Sequence, residues 1–279
     1  MSRTVTRFAP SPTGHLHLGH AYGAFFAAET ARLAGGRFLL RIEDIDSIRC
    51  RPEFEVAILE DLAWLGLEWE ETVRRQSDHM LDYALALEQL REMEAVYPCF
   101  CTRKEIRREI ERAGAAPHGR EGPRYPGTCR RLSAAEQEDR VLAGDAFALR
   151  LDATRAAKIC GPLYFHDRTH GSIEVDPMRE GDVVVARKDI TTSYHLAVAV
   201  DDALQGVTCV TRGEDLLEAT HIHRVLQKLL GLPAPEYAHH PLLVGRDGKR
   251  FAKRDNAKSI QALRKEGLSR FAVREMTGI

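Results

Sequence analysis

The sequence predicts an α/β protein built on a parallel, doubly wound sheet that an insertion interrupts. Three observations carry this expectation: a strand–turn–helix–strand opening over roughly residues 5–42, an irregular stretch rich in Arg, Gly and Pro at 98–180, and a return to alternating strand-like and helix-like runs after it. The 279 residues allow about two domains. A chain this long buries roughly three quarters of its unfolded surface, so its core needs no covalent staples.

The opening strand is expected at Val5–Ala9, and Pro10, Pro12 and Gly14 then exclude a helix. From about Leu18 to Leu33 the chain is helix-forming, and Gly35-Gly36 ends that helix. Phe38–Ile42 is a buried-type strand followed at once by the acidic EDID, which completes a βαβ unit. A second helix is expected over about Glu53–Leu65 with Val56, Leu59, Leu62 and Ala63 on one face, and a third over about Asp78–Glu94. After the 98–180 stretch, VVVA (183–186) and HLAVAVDD (195–202) read as strands, VTCVTRGEDL follows, and an amphipathic helix lies near His221–Leu230. About one helix follows the basic stretch at 249–258.

Composition is that of an ordinary globular chain, 44% hydrophobic and 29% charged. No run approaches the ~20 apolar residues that span a bilayer. The N-terminal MSRTVTRFAPSP lacks the apolar stretch of a signal peptide, so the expected location is cytoplasmic. A formal net charge of −1 is no global signature of a nucleic-acid binder, so an RNA partner would be met by local patches. Two stretches qualify: residues 98–131 hold nine Arg or Lys against four acids, and residues 249–258 hold five against Asp255. Each could equally be a solvated surface. The six cysteines do not suggest a disulfide framework. Cys50, Cys160 and Cys209 are scattered and read as small buried residues, whereas Cys99, Cys101 and Cys129 cluster.

The densest signal is RFAPSPTGHLHLGHAYG, residues 7–23. A strand feeding a glycine turn and a helix start makes an anion site, because free backbone N–H groups and the helix dipole point at the same place. His17 and His20, at i and i+3, can both bond phosphate oxygens, and Gly19 leaves room for a flat base against backbone. Taken alone, this spacing also suits metal binding or a histidine-rich helix start.

RFAPSPTGHLHLGH resembles the "HIGH" region of class I aminoacyl-tRNA synthetases, in particular the glutamyl branch. RIEDID (41–46), LGLEWEE (65–71), YHLAVAVDD (194–202) and VTRGEDLLEAT (210–220) resemble that branch in the expected order. The "KMSKS" loop is present in degraded form as KRFAKRD (249–255), with Lys253 matching its last lysine, Arg250 in place of the first and Ala252 in place of the serine. The resemblance covers roughly residues 5–260 and implies a Rossmann-type class I catalytic domain that uses ATP, accompanied by Mg2+, to activate L-glutamate.

On that resemblance His17, His20 and Lys253 are catalytic, and His17, Gly19, His20 and Lys253 bind ATP. Glutamate is bound by Arg7, Phe8, Ala9, Pro10, Ser11, Glu43, Tyr194 and Arg212. Arg7 and Arg212 would meet the side-chain carboxylate, Glu43 the α-ammonium, and Tyr194 would supply a hydroxyl. Arg212 is the sharper marker of glutamate, because a guanidinium pairs a carboxylate bidentately and an amide leaves donors unpaired. Each of these residues could also sit in a structural salt bridge.

Three thiolates within about thirty residues suit one tetrahedral, structural Zn2+, with three metal-free reduced cysteines as the alternative. By resemblance to the short glutamyl-type enzymes, with C-x-C then Y-x3-C, the fourth ligand would be Tyr125, whereas His118 is the chemically easier one. Such a metal would brace a loop-rich insertion with little core of its own.

The expected division is a split catalytic domain (1–97 with 181–248), a zinc-containing acceptor-type insertion (98–180), and the KMSKS-like loop with a short helical remnant (249–279). Only 26 residues follow Lys253, room for one helix and no anticodon-binding domain. The chain therefore resembles the stand-alone glutamyl-type paralogues. Their reaction is tRNA-independent glutamate activation followed by transfer to the queuosine at the wobble position of tRNA(Asp). Expected partners are ATP, L-glutamate and that tRNA, with no membrane, for a monomer. The alternatives are a truncated or split glutamyl-tRNA synthetase charging tRNA(Glu), or an inactive RNA-binding paralogue. The intact His17, His20, Glu43, Arg212 and Lys253 speak against the last.

Overall fold

A computed structural model of the chain describes residues 3–70, 72–102, 104–106, 118–119, 122–243 and 258–279. Arg250, Ala252 and Lys253 lie outside the described residues, and so does the side chain of His118.

Strand β1 (Val5–Phe8) pairs in parallel with β2 (Arg37–Ile42), and β2 with the short β3 (Arg74–Arg75). On the other side, the Thr208 N–H donates to the Val5 carbonyl at 3.0 Å and the Val5 N–H to Thr208 Oγ1 at 2.8 Å. These bonds bring β1 to the entry of β11 (Cys209–Gly213), which pairs in parallel with β12 (Glu236–His240). Strand β12 meets β8 (Tyr164–Asp167) in parallel, and β9 (Gly171–Glu174) closes the edge antiparallel to β8. The two half-sheets thus meet between β1 and β11, where the chain order switches, the usual place for a ligand crevice in an open α/β sheet.

The first helix spans Leu18–Leu33, as its composition predicts. Beyond it Gly35 takes φ +58°, which a glycine adopts freely. A side chain at Gly36 would place its Cβ 2.1 Å from the Thr4 carbonyl oxygen, so the return into β2 requires glycine. Helix Pro52–Trp64 starts with proline in its first turn beside Glu53 and Glu55, both favourable there. Its buried face is Ala57, Ile58, Asp61 and Leu62, with Leu59 packed beside them, so the expected face holds at Leu59 and Leu62 and fails at Val56 and Ala63. Val56 and Ala63 are exposed, because the helix leans on the first helix and the C-terminal segment along a stripe one position round. Ile58 and Leu62 are fully buried, and truncating either to Ala should cost about 2–5 kcal/mol.

HLAVAVDD is not a strand. Helix Tyr194–Leu204 occupies it, with every residue from Leu196 to Asp202 buried. Burial on all sides erases the period that separates helix from strand. Helices Met80–Glu92 and Leu217–Leu229 lie where expected, and Leu196, Ile222, Val225 and Leu226 join them in the larger core. The C-terminal segment holds two short helices, Ile260–Lys265 and Arg270–Thr277, rather than one, separated by Gly267 at φ +85°. Ile260 N–H donates to the Leu16 carbonyl at 2.8 Å and Ser259 bridges His17, so this segment is fastened beneath the first helix start.

The 98–180 stretch divides. A separate antiparallel sheet consists of β4 (Val96–Cys99), β7 (Ala148–Leu151) and β10 (Val184–Ala186), so VVVA is a strand but not of the parallel sheet. A small hairpin pairs β5 (His118–Gly119) with β6 (Gly122–Pro123). The β8–β9 hairpin, by contrast, extends the parallel half-sheet through β12. No helix among the described residues is long and apolar enough to cross a membrane.

Candidate active site

At the carboxyl ends of β1 and β11 lies a cavity of about 400 Å³. It is lined from β1 by Arg7 and Phe8, from the following turn and helix start by Ala9, His17, Gly19 and His20, and by Glu43, the residue that follows β2. Tyr194 enters from the first turn of its helix, and Thr211, Arg212 and Gly213 from β11. Nine of the residues predicted for the site therefore share one cavity. Pro10 does not line it but accepts the Glu43 N–H at 3.0 Å, so it places that acid. Ser11 lines an adjoining cavity that shares Glu43 and Tyr194.

The start of the first helix is built by the histidines themselves. His17 caps the first helix: its Nδ1 accepts the Gly19 N–H at 3.1 Å, and His20 Nδ1 accepts the His17 N–H at 3.1 Å. The rings sit 3.8 Å apart. A ring nitrogen that accepts from a backbone N–H carries no proton, so each neutral imidazole holds its proton on Nε2. Both rings therefore offer N–H donors beside the positive end of a helix.

The two arginines differ. Arg7 is already paired: its Nε donates to Asp202 Oδ1 at 2.9 Å, Nη2 to Oδ2 at 3.3 Å, and Nη1 to the Thr211 carbonyl at 3.0 Å. Arg41 shares the same acid through Nη1 at 2.8 Å and reaches Glu43 through Nη2 at 3.1 Å. Asp201 in turn accepts from Arg74, Gln76 and Tyr83. Burial pushes Asp202 up, but Arg7 and Arg41 outweigh it and hold its carboxyl below its ordinary range. For Glu43 burial wins over Arg41 and Arg7, and its carboxyl is raised.

Arg212 is held by neutral acceptors. Its Nε donates to His239 Nε2 at 3.2 Å, Nη1 to His223 Nδ1 at 3.0 Å, and Nη2 to Thr220 Oγ1 at 2.5 Å. Among the described residues no carboxylate lies within ion-pair distance of it, so a buried cation faces a cavity, also lined by Glu43 and Asp215, with no acid in direct contact. The Tyr194 phenol is raised by burial and stays a donor.

Away from this cavity, the sulfurs of Cys99, Cys101 and Cys129 all lie within 4.8 Å of one another. Cys101 Sγ is 3.4 Å from Cys129 Sγ and 3.5 Å from the Tyr125 hydroxyl, which also accepts the Cys129 N–H at 2.8 Å. Sulfurs at about 2.3 Å from a tetrahedral Zn2+ stand a little under 4 Å apart, so the three thiols fit such an ion and Tyr125 reaches the same shell.

Sequence reasoning missed Asp202 and Arg41, which compensate Arg7, and His223, His239 and Thr220, which hold Arg212. The acidic doublet Asp201-Asp202 closing an apolar run was the one visible signal.

A parallel sheet split at its ligand crevice, an imidazole pair at a helix start and a charged cavity at the ends of the central strands define a class I aminoacyl-tRNA synthetase catalytic domain. Residues 3–278 match the family model of class I tRNA synthetases (E and Q), catalytic domain. Within that class the chain is 49% identical to the glutamyl-Q tRNA(Asp) synthetase of Rhodobacter capsulatus, over 99% of this chain and 100% of that protein. It is 46% identical to the protein of the same name from Nocardia farcinica, over 94% of this chain and 80% of that one. It superposes with a TM-score of 0.76 and 29% identity on a glutamate tRNA ligase from Elizabethkingia meningosepticum in complex with its amino acid. That match covers 96% of this chain and 54% of the ligase, so the chain spans about half the solved protein. The chain belongs to the glutamyl-Q tRNA(Asp) synthetase family.

Proposed function

We propose that this chain activates L-glutamate with ATP, without tRNA, and transfers the glutamyl group to the queuosine at the wobble position of tRNA(Asp). The observation that carries the reading is Arg212, a buried cation kept free of carboxylates at the end of β11, in the cavity that also holds Glu43. An amino acid with an anionic side chain supplies the missing counter-charge, and Glu43 accepts its ammonium.

In the first step the α-carboxylate of glutamate attacks the α-phosphorus of ATP and pyrophosphate leaves. The Nε2–H groups of His17 and His20 donate to phosphate oxygens as charge builds there, beside the helix start. Lys253 is proposed as the cation on the opposite side of the triphosphate, and Mg2+ arrives with ATP. Lys253→Ala should slow adenylate formation by roughly 100-fold, about 2.7 kcal/mol, with glutamate affinity little changed. In the second step a queuosine hydroxyl attacks the activated carbonyl and AMP leaves. The Cys99, Cys101, Tyr125 and Cys129 cluster is proposed as a structural zinc site bracing the insertion. The division into a split catalytic domain and an insertion is retained with it, the β8–β9 hairpin going to the catalytic sheet.

The test is glutamate-dependent ATP–pyrophosphate exchange in the absence of tRNA, followed by labelled glutamate offered to purified tRNAs with and without queuosine. Label confined to queuosine-bearing tRNA(Asp) is the expected result. Charging of tRNA(Glu) at its 3′ end, or no exchange, overturns the proposal.

A further inference from the structure

The acceptors of Arg212 form a chain in which each link fixes the next. An arginine only donates, so His239 accepts at Nε2 (3.2 Å) and His223 at Nδ1 (3.0 Å). The remaining nitrogen of His239 is 2.7 Å from Asp167 Oδ2, a carboxylate fully buried with it. That contact is a donated Nδ1–H. The remaining nitrogen of His223 is 3.2 Å from His195 Nδ1, and carries the proton. Thr220 fills the third direction, and the Tyr237 ring lies beneath the guanidinium with its centroid 5.5 Å away. Every contact that orients Arg212 is therefore uncharged, and Asp167 reaches it only through an imidazole. Arg7, a strand away, is oriented by Asp202 directly, which neutralises it.

We propose that His223 and His239 are positioning residues that orient Arg212 without neutralising it, and so set the preference of the cavity for a carboxylate over an amide side chain. The inference rests on the glutamate reading above. A carboxylate in either place would hold the guanidinium as firmly and cancel the charge that selects the substrate. Neutral histidines separate the two tasks. Burial and the Arg212 charge both disfavour imidazolium here, and His239 is pushed down to about 4. His223 is lowered as well, and the arrangement is closed at neutral pH.

The experiment compares His223→Glu with His223→Gln in ATP–pyrophosphate exchange, measuring kcat/KM for glutamate and for glutamine. His223→Glu should cut the glutamate-over-glutamine ratio tenfold or more through the KM for glutamate, with the KM for ATP moving less than twofold. His223→Gln keeps a neutral acceptor and should hold the ratio within threefold of wild type, at reduced rate. Equal ratios in the two variants, collapsed or intact, overturn the inference. Nitrogen-15 NMR of the wild-type chain at pH 6 tests it without a variant. His239 should carry its proton on Nδ1 and His223 on Nε2, and an imidazolium at either overturns it. A wild-type chain with no glutamate-dependent exchange overturns the functional reading, and with it the selectivity claim. Unchanged ratios in a chain that exchanges overturn this inference alone.

Discussion

Arg7 and Arg212 stand at the carboxyl ends of two strands that meet at the centre of the sheet, both almost fully buried, yet their surroundings are opposite. The β1 side is a closed electrostatic unit, with Arg7, Arg41 and Arg74 facing Asp201, Asp202 and Glu43. The β11 side holds its cation with imidazoles and a hydroxyl. Desolvating a charge is costly, and a fold that leaves one unmatched must regain the cost when a ligand arrives. On the proposed function, the first side serves the fold and the second the substrate. The contrast supports the reading of Arg212 as the sharper marker of glutamate, with Arg7 assisting.

Breaking each side should separate the two roles. Arg7→Met strands Asp202 with Arg41 as its remaining partner. Loss of one member of a buried pair typically costs about 3–5 kcal/mol, to be read as a lower midpoint in urea. A stability change below 1 kcal/mol would dissolve the distinction. Arg212→Ala should be nearly neutral for stability and weaken glutamate by roughly 10- to 150-fold, about 1.5–3 kcal/mol for a charge-assisted bond. Glutamine should lose much less and ATP almost nothing. An unchanged glutamate-to-glutamine ratio in exchange assays would return the specificity role to Arg7.

Acid sharpens the contrast with a smaller effect. His195 and His239 are pushed down to about 4, chiefly by burial and then by Arg212. His221, His223 and His240 are lowered too, by burial first. Imidazoles that stay neutral in the fold and protonate near pH 6.5 when unfolded make the unfolded chain the stronger proton binder. Stability should be complete above about pH 6.5 and decline as pH falls toward 4. Asp61, raised to about 6 by burial, and Glu43, also raised, oppose this over the same range. Five imidazoles against two carboxyls set the net direction, so a Tm that rises between pH 6.5 and 4.5 would contradict the neutral-histidine description. The least effect on glutamate should come from the distant cluster. A zinc chelator should lower the Tm and release metal measurable by absorption spectroscopy, while exchange at 25 °C changes less than twofold. A chain purified without metal, or exchange abolished on chelation, would remove the structural-zinc proposal.

What the sequence made legible was local. The Leu18–Leu33 helix, its histidine start and its glycine exit are written within a few residues of where they act. Motifs in order also brought Arg7, Glu43, Tyr194 and Arg212 to one cavity, because each sits at an element end that the βαβ pattern already orients. Helix Tyr194–Leu204 was misread since burial on every side leaves no amphipathic stripe. The pairing of Arg7 with Asp202, 195 positions away, has no local trace. Nor does the grip of His223 and His239 on Arg212, since His223 sits in a run that reads simply as helix and His239 in one to which the sequence assigns no element. Partners in a buried network are chosen by tertiary approach, and a single sequence records the groups without the approach.

The two bonds between Val5 and Thr208 join the half-sheets on either side of the cavity. Glutamate would sit across that seam, touching residues of both halves, so it binds only the joined form. By mass action, a ligand at a hundred times its dissociation constant adds about 2.7 kcal/mol to the state that binds it. The substrate is then also a clamp, and in cells short of glutamate the same polypeptide would open more often at this seam and present itself to proteases.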